Sequence, residues 1–426
     1  MNTMKQLTLM IMMTILATTA FTGCSKDAIE SDAVMAAGAQ QGSVGAHRTV
    51  LVYMAGRNNL SRFATDDLRE MLEGSKLIDD EQTLLVFMRR GWMNEEPWLA
   101  RIKNGEVTDK ISLSEMGIHK EDTYVSDPEV MERVMQYAFN RYPSPSNDYG
   151  LVLWGHSSGW LMEDSVQAVP TSRAFGVDLG NAMKRENAKW LNLPGMKNVL
   201  MRLPHLKYIF ADCCNFMCME SLYELRNVAD YIIGSSAEIP ADGAPYDVIV
   251  PALFEKTAFC EEIVEKYYQG YNGCLPLCAV KMSEMGRLAQ ATDEVTDSID
   301  GRLGDVWHDT TGLIHYNNLT EDGEEFHREC NIYYDAGDYI RRYATPEEYR
   351  KWKSVLDGAI VTKRYASTWH TDLKWDLFFT DFTMTPERYH GISMFIDQDD
   401  STEYGKIYKK LNQDIEKMEW YQAVWL

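Results

Sequence analysis

Five short apolar runs within the first 235 residues predict buried β-strands. They are residues 49–54, 83–88, 149–154, 208–211 and 231–235. The run at 83–88 (TLLVFM) is continuous rather than alternating, which is typical of a parallel strand covered by helices on both faces. Between the runs, apolar residues recur at helical spacing, as in Phe63, Leu68 and Met71. Alternating strands and helices predict a doubly wound α/β sheet.

The pattern changes after Pro251. Two further strands are predicted at 274–282 and 391–396, and helices at 283–299, 345–357 and 404–418. We therefore divide the folded part of the chain into a sheet domain, residues 47–255, and a smaller, mainly helical region, residues 256–426. We expect the second region to contribute some strands.

The first 23 residues have the form of an export signal. Lys5 supplies a positive charge, and the apolar run Leu7–Ala20 is too short for a comfortable membrane span. Small residues then precede Cys24, as in bacterial lipoprotein signals, where the cysteine becomes the lipidated first residue. We therefore expect an outer-membrane or cell-surface lipoprotein anchored through Cys24, with ordinary secretion as the alternative. Residues 24–46 are small and polar and predict a flexible tether.

The formal net charge is −22, which excludes nucleic-acid binding through phosphate contacts and would attract cationic peptides. Solubility is the plainer interpretation of this charge. Apart from Cys24 the chain has seven cysteines, an odd number, so at least one thiol of an exported chain stays unpaired. The run from Cys213 to Cys218 lacks a second ligand pair at zinc-site spacing, and we predict no metal site there.

Two of the predicted strands lead into reactive side chains. The strand at 208–211 precedes Asp212, Cys213 and Cys214, and helical spacing from Phe216 onward predicts that a helix follows the thiols. The strand at 149–154 precedes His156. Ligands bind beyond the carboxyl ends of strands in such sheets, where a Cys and a His could form a nucleophile–base pair. Taken alone, each residue is more often structural.

An alternative nucleophile lies in the same stretch. Residues 155–159, GHSSG, match the G-x-S-x-G nucleophile elbow, in which Ser157 would attack and His370 or His390 could complete a triad. The elbow requires a helix directly after the serine, but the residues after Trp160 have a weak helical period. The cysteine interpretation is therefore preferred.

The order of these motifs resembles that of the clostripain-like cysteine peptidases, whose fold is related to caspases, gingipains and legumains. The matching segments are TVLVYMAGRNNLSRFATDDLREM, SDPEV, LVLWGHSSG, ADCCNFMCMESLYEL and SSAEIPADGAPYD. The resemblance implies a caspase-like three-layer αβα sandwich with a mostly parallel central sheet. It also implies a cysteine endopeptidase that cleaves after Arg or Lys, so that its partners would be peptides and proteins with those residues.

The resemblance also assigns residues. His156 is aligned with the catalytic histidine and Cys214 with the nucleophile, while Cys213 takes the place of a small residue. Asp212 and Asp242 correspond to acids of the pocket for the basic side chain, as a guanidinium requires. The backbone N–H groups of Ser157 and Cys214 would hold the oxyanion, although Ser157 replaces a glycine of the family.

Some members of the family mature by cutting themselves between the His and Cys motifs. Basic residues that would suit such a cut are Arg173, Lys184, Arg185 and Lys189. We expect no required cofactor; calcium dependence occurs in part of the family, and acidic pairs such as Asp399-Asp400 are too generic to place an ion. The departures from the family motifs suggest one more alternative, a non-catalytic surface-binding lipoprotein.

Overall fold

The structure is a computed structural model. It describes residues 47–91, 95–119, 123–162, 175–304, 309–316, 331–371, 374–377, 382–399, 401 and 405–425. The predicted signal peptide and tether, with Cys24, lie outside the described residues, and so do Arg173 and Cys330.

Strands and helices alternate along the first two thirds of the chain. The strands are β1 (Arg48–Gly56), β2 (Thr83–Arg90), β3 (Trp98–Lys103), β4 (Glu106–Ser112), β5 (Asp148–Trp154), β6 (Phe175–Asp178), β7 (Lys189–Leu191), β8 (Leu206–Asp212), β9 (Ala229–Gly234), β10 (Leu277–Lys281), β11 (Tyr334–Asp335), β12 (Ile360–Arg364), β13 (Trp369–Thr371), β14 (Lys374–Leu377) and β15 (Ser393–Met394). The helices are α1 (Ser61–Gly74), α2 (Pro128–Arg141), α3 (Leu193–Leu200), α4 (Met219–Glu224), α5 (Tyr246–Leu253), α6 (Phe259–Gly270), α7 (Met285–Leu303), α8 (Ala336–Tyr343), α9 (Pro346–Ala359), α10 (Gly405–Ile415) and α11 (Glu419–Val424).

Within the described residues, nine strands form one mixed sheet in the order β12-β10-β9-β8-β5-β1-β2-β3-β4. The five central strands, β9 to β2, run parallel, and antiparallel pairs extend both edges. The chain winds from β1 to β2 in one direction and then from β5 through β8 to β9 in the other. The strand order therefore reverses between β1 and β5, which is where sheets of this kind bind ligands.

Helices cover both faces of the sheet. Every residue of β1 is buried, and its side chains alternate between two cores. Val50, Val52 and Met54 pack with α1, α5 and α6, whereas Leu51 and Tyr53 pack on the opposite face with α2, α3, α4 and α7. The predicted three-layer sandwich of helices around a central sheet is thus confirmed.

The region after residue 255 continues the same fold. Strand β10 pairs with β9 and β12 pairs with β10, so this region completes one edge of the sheet. Residues 45–426 form one compact unit. The boundary at residue 255 stays a prediction. None of the helices in the described ranges has the length and apolar content of a membrane span.

Candidate active site

The candidate site lies at the carboxyl ends of three neighbouring parallel strands, β1, β5 and β8. Their register places Met54, Trp154 and Asp212 at the same level across the sheet. His156 lies two residues beyond Trp154, and Cys214 lies two residues beyond Asp212. Strand pairing therefore places the two predicted reactive residues at the same level along the sheet and at the same edge. The sequence alone could not show this, because the two residues are far apart along the chain.

His156 and Cys214 line one narrow cleft at this edge. The other lining residues are Leu60, Trp154, Gly155, Asp212, Ile239, Pro240, Ala241 and Gly243. The cleft thus contains the predicted base, the predicted nucleophile and one of the two predicted pocket acids. Four of the lining residues come from the segment 239–243, and the Ile239 N–H of this segment contacts the Cys214 Sγ.

Burial distinguishes the two neighbouring thiols. Cys213 is fully buried in the core, and this burial raises the pKa of its thiol well above the ordinary value. Cys214 is half-buried and lines the cleft. A nucleophile must reach its substrate as a thiolate, so the position of Cys214 fits that role and the position of Cys213 does not.

The helix predicted directly after the thiols begins later than expected. A turn at 213–215 follows β8, Cys218 forms a β-bridge with Ser393, and α4 starts only at Met219, so no helix N-terminus adjoins Cys214. Instead, the backbone N–H of Ile239 donates to the Cys214 Sγ at 3.4 Å. Asn215 has a φ of 53°, a left-handed conformation that asparagine tolerates better than most residues. The turn at Asn215 therefore presents the thiol, and a neighbouring loop supplies the N–H.

Asn59 contacts the predicted catalytic histidine. Its Oδ1 lies 2.7 Å from Nε2 of His156. Asn59 is in the loop after β1, on the opposite side of the reversal point from His156. It was not singled out in the sequence, although it lies in the Asn-Asn-Leu segment that carries part of the family resemblance.

Ser157 is directed into the protein. It is 8% exposed, and its hydroxyl accepts a hydrogen bond from the Gly159 N–H at 3.1 Å. Residues 158–162 form no helix, whereas a nucleophile elbow requires one. The backbone at His156 is tied to β6 because its carbonyl accepts from the Gly176 N–H at 2.8 Å. Ser157 is therefore a fixed backbone position beside the cleft and a poor nucleophile.

Asp212 forms the floor of the cleft. It is 2% exposed, and three donors hold its carboxyl group: the Tyr246 hydroxyl at 2.7 Å, the Tyr267 hydroxyl at 2.8 Å and the Ala244 N–H at 3.1 Å. Burial raises the pKa of Asp212, and these hydrogen bonds act in the opposite direction because they favour the charged form.

A second buried acid, Asp67, lies behind this floor. Its Oδ2 accepts a hydrogen bond from the Trp154 indole at 2.5 Å. Burial, and then the charge of Asp212, raises the pKa of Asp67 to about 9, so it is protonated at neutral pH. Asp67 was not among the site residues predicted from the sequence. Its signal was an acid on the apolar face of a helix, between Ala64 and Met71.

Gly243 lines the cleft and packs closely against both acids. A Cβ at this position would lie 2.9 Å from Oδ2 of Asp67 and 3.1 Å from Oδ2 of Asp212. Its φ is 65°, which also favours glycine. The predicted second pocket acid, Asp242, is exposed beside it. Glu70 lies nearby and accepts from the Tyr246 N–H at 2.9 Å. The surroundings of the cleft are thus strongly acidic.

The predicted cleavage residues that the structure describes lie between β6 and β7 or on β7. Lys184 is exposed and lies 3.5 Å from Glu186. Arg185 begins a short 3-10 turn. Lys189 lies on β7 with its Nζ 4.1 Å from the ring centre of Tyr124. The next residue, Trp190, has its ring 6.5 Å from that of His156, so this segment adjoins the cleft.

Possible metal ligands are scattered in the described part of the chain. There, no group of three or more His, Cys, Asp or Glu residues could hold a metal ion.

Comparisons with known proteins agree with this geometry. The model of the clostripain family, peptidase family C11, matches residues 52–425. A secreted C11 cysteine protease from Bacteroides thetaiotaomicron, solved with an irreversible peptide inhibitor, is 28% identical with a TM-score of 0.68, covering 89% of this chain and 98% of its own. An inactive zymogen C11 protease from Parabacteroides distasonis is 25% identical with a TM-score of 0.71, covering 90% and 99%. No curated protein matches the chain.

Proposed function

The chain belongs to the clostripain family of cysteine peptidases, and from this premise we propose that it is an endopeptidase that cleaves after Arg or Lys through Cys214 and His156. The proposal rests on one observation: Cys214 and His156 line the same cleft, and the buried Asp212 forms its floor. Membership of this family makes the chain a cysteine peptidase, a hydrolase that acts on peptides, and supports this function over the serine hydrolase and the non-catalytic alternative.

In the proposed mechanism His156 takes the proton of the Cys214 thiol, and the thiolate attacks the carbonyl carbon of the scissile bond. The tetrahedral intermediate collapses as the carbon–nitrogen bond breaks, and His156 gives its proton to the leaving amine. Water then attacks the acyl-enzyme with His156 as base, which releases the acid and restores the thiol. The Ile239 N–H near the sulfur favours the thiolate.

The oxyanion of the intermediate would be held by the backbone N–H groups of Ser157 and Cys214. Two features support this proposal. Asn215 and Gly159, which follow the two positions closely, both have positive φ, so the backbone turns sharply there. The hydrogen bond that the Gly176 N–H donates to the His156 carbonyl fixes the turn that contains Ser157 and Gly159. Prealigned N–H donors of this kind stabilise charge that develops in the transition state.

The proposed preference for Arg or Lys is supported by the acidic residues in and around the floor of the cleft. Asp212 lines the cleft, Asp242 is an exposed residue between two lining residues, Ala241 and Gly243, and its charge acts on Asp67 and Glu70. A guanidinium or ammonium group entering the cleft would meet the carboxyl group of Asp212. An acidic P1 side chain would be repelled by the same group.

Hydrolysis of fluorogenic peptides that end in Arg, Lys or Ala tests the proposal directly. We expect turnover of the Arg and Lys peptides by wild type and by Cys213→Ala, and none by Cys214→Ala. Activity lost in the Cys213 variant and kept in the Cys214 variant would identify the other thiol as the nucleophile. Equal turnover of the Ala peptide would refute the preference for basic residues.

We further propose self-processing between the His and Cys motifs, at Arg173, Lys184, Arg185 or Lys189. The proximity of the β7 segment to His156 supports it, and one relative is described as an inactive zymogen. In this proposal the uncut segment restricts the cleft. Intact mass after incubation gives the test: a Cys214→Ala form that is cut as readily as wild type would rule out self-cleavage.

Export, lipidation at Cys24 and independence of cofactors are proposed from the sequence. A lipidated chain partitions with membranes and gains the mass of its acyl groups, and Cys24→Ser removes both properties without changing the folded part. Activity in excess EGTA is expected to equal activity with calcium. Loss of activity in the chelator that calcium restores would show that an ion is required.

A further inference from the structure

The contact between Asn59 and His156 determines which ring nitrogen can act on the thiol. Oδ1 of Asn59 is 2.7 Å from Nε2 of His156. In this orientation of the amide Nε2 carries the hydrogen, because an amide oxygen only accepts hydrogen bonds. In the neutral imidazole the other nitrogen, Nδ1, then carries the lone pair.

The loop that presents Asn59 is held by its neighbour Asn58. The Asn58 side chain is 3% exposed and donates to the carbonyls of Ala55 at 2.9 Å and Val177 at 2.8 Å. Its oxygen accepts from the Leu60 N–H at 2.8 Å. These bonds tie the loop to β1 and β6, so Asn59 is presented from a fixed backbone while its own side chain stays at the surface.

The positions of the three groups follow from the topology. Asn59 follows β1, His156 follows β5 and Cys214 follows β8, and these strands are consecutive in the sheet. The histidine therefore lies between the other two groups. An imidazole that bonds to Asn59 through Nε2 can direct Nδ1 toward the β8 side, where the thiol lies.

We propose that Asn59 is a positioning residue that holds His156 in the tautomer with hydrogen on Nε2, so that Nδ1 exchanges the proton with Sγ of Cys214. The inference rests on the proposed Cys214–His156 pair, not on the preference for Arg or Lys. Asn59 accepts the same hydrogen bond from the neutral ring and from the imidazolium. The bond strengthens when the ring is charged, which stabilises the thiolate–imidazolium pair.

The reverse orientation of the amide makes the opposite prediction. If the Asn59 amide group donated to Nε2, the hydrogen of the neutral ring would sit on Nδ1, and the thiol could not give its proton to that nitrogen. Asn59→Asp separates the two cases because a carboxylate can only accept. It preserves the proposed bond and abolishes the reverse one.

The experiment compares wild type, Asn59→Asp, Asn59→Ala and the control Asn140→Ala, which changes an exposed asparagine on α2. We measure kcat, and the rate at which iodoacetamide alkylates Cys214, as functions of pH. Asn59→Ala should lower kcat about 10- to 100-fold, as loss of an orienting partner does elsewhere. Asn59→Asp should keep more activity than Asn59→Ala and extend the thiolate–imidazolium range to higher pH, because a carboxylate stabilises the imidazolium.

A spectrum of the nitrogen-15-labelled His156 ring in Cys214→Ser reads the tautomer without substrate. Hydrogen on Nε2 supports the inference, and hydrogen on Nδ1 overturns it. A pH profile and kcat of Asn59→Ala equal to those of Asn140→Ala would overturn it as well. If wild type proved to prefer other P1 residues, the pH profiles with its best peptide and the ring spectrum would still decide the role of Asn59.

Discussion

At the scale of single residues, the two buried carboxyl groups below the cleft have different roles. Asp212 receives three hydrogen bonds, which favour its charged form. Asp67 accepts one hydrogen bond, from the Trp154 indole N–H. Burial and then the charge of Asp212 raise its pKa, so it is protonated at neutral pH. Burial raises the pKa of both carboxyl groups, but only Asp212 has three donors that oppose this shift, so Asp212 is the acid of the pair that is better placed to meet a basic side chain.

Replacing Asp67 by Asn is expected to stabilise the protein at neutral pH. The native state keeps a proton on Asp67 up to about pH 9, whereas the unfolded chain loses it near its ordinary pKa of 3.8. Stability conferred at this residue therefore falls as pH rises from about 4 to about 9. Asn keeps the acceptor for Trp154 and has no such dependence, so we expect a gain of roughly 2–4 kcal/mol at pH 7.

Urea denaturation of wild type and Asp67→Asn at pH 4 and pH 7 measures this effect. The gain should fall to well under about 1 kcal/mol at pH 4, because this pH is close to the pKa of the unfolded chain and the folded state stays protonated. A gain of equal size at both pH values would show that the effect is not due to the proton.

Gly243→Ala should damage the cleft more than the fold. The added Cβ would lie 2.9 Å from Asp67 and 3.1 Å from Asp212. Gly117 has a comparable φ of 75°, but a Cβ there would meet nothing within 4 Å. Both variants should lose about 1 kcal/mol to backbone strain. Gly243→Ala alone should lower kcat/KM for the Arg peptide, by about tenfold or more. Equal kcat/KM values for the two variants would contradict this role.

At the scale of elements, the turn that carries Cys214 is anchored from the distant β15 strand. Glu220 in the first turn of α4 is fully buried, and its Oε1 accepts from the Phe395 N–H at 2.7 Å. The Ser393 N–H donates to the carbonyl of Met217 at 3.0 Å. These bonds join the segment after the nucleophile to a strand about 175 residues away in sequence.

Substitution of Glu220 tests this anchor. Burial raises the pKa of Glu220 to about 7, so a neutral side chain is tolerated there. Glu220→Gln retains the acceptor for Phe395 and should change stability little. Glu220→Ala leaves a buried N–H without its acceptor and a cavity beside α4, and should cost about 2–4 kcal/mol. Denaturation midpoints give the comparison, and equal midpoints for the two variants would show that the contact anchors nothing.

At the scale of the whole molecule, the sheet and its larger core draw on both predicted regions. Strand β10 covers β9, and the core beneath it includes residues from α2 as well as from α7 and α9. A chain cut at residue 255 would expose the edge of β9 and a large part of this core.

The isolated segment 47–255 is therefore expected not to fold by itself. Its far-ultraviolet circular dichroism should show no cooperative thermal transition, and it should aggregate, whereas the segment 47–426 should melt cooperatively. A cooperative transition of the shorter segment would instead support a domain boundary at residue 255.

The sequence by itself determined the order of the central strands and helices, because continuous apolar runs and helical spacing are local signals. It also placed His156 and Cys214 at strand ends, and the order of motifs pointed to the family. It erred locally at the nucleophile. The apolar spacing from Phe216 predicted a helix, but hydrogen bonds from the turn to the segment just after β9 and to β15 delay α4 until Met219.

Only the tertiary structure decided which side chains meet and how buried each one is. The register of β1, β5 and β8 brings Asn59, His156 and Cys214 to one edge. Burial, which no local pattern specifies for adjacent residues in a turn, separates Cys213 from Cys214. The proton on Asp67 likewise depends on Asp212, far away in sequence. Contacts between side chains and their burial arise from packing between segments that are distant in sequence. Local sequence patterns therefore could not predict them.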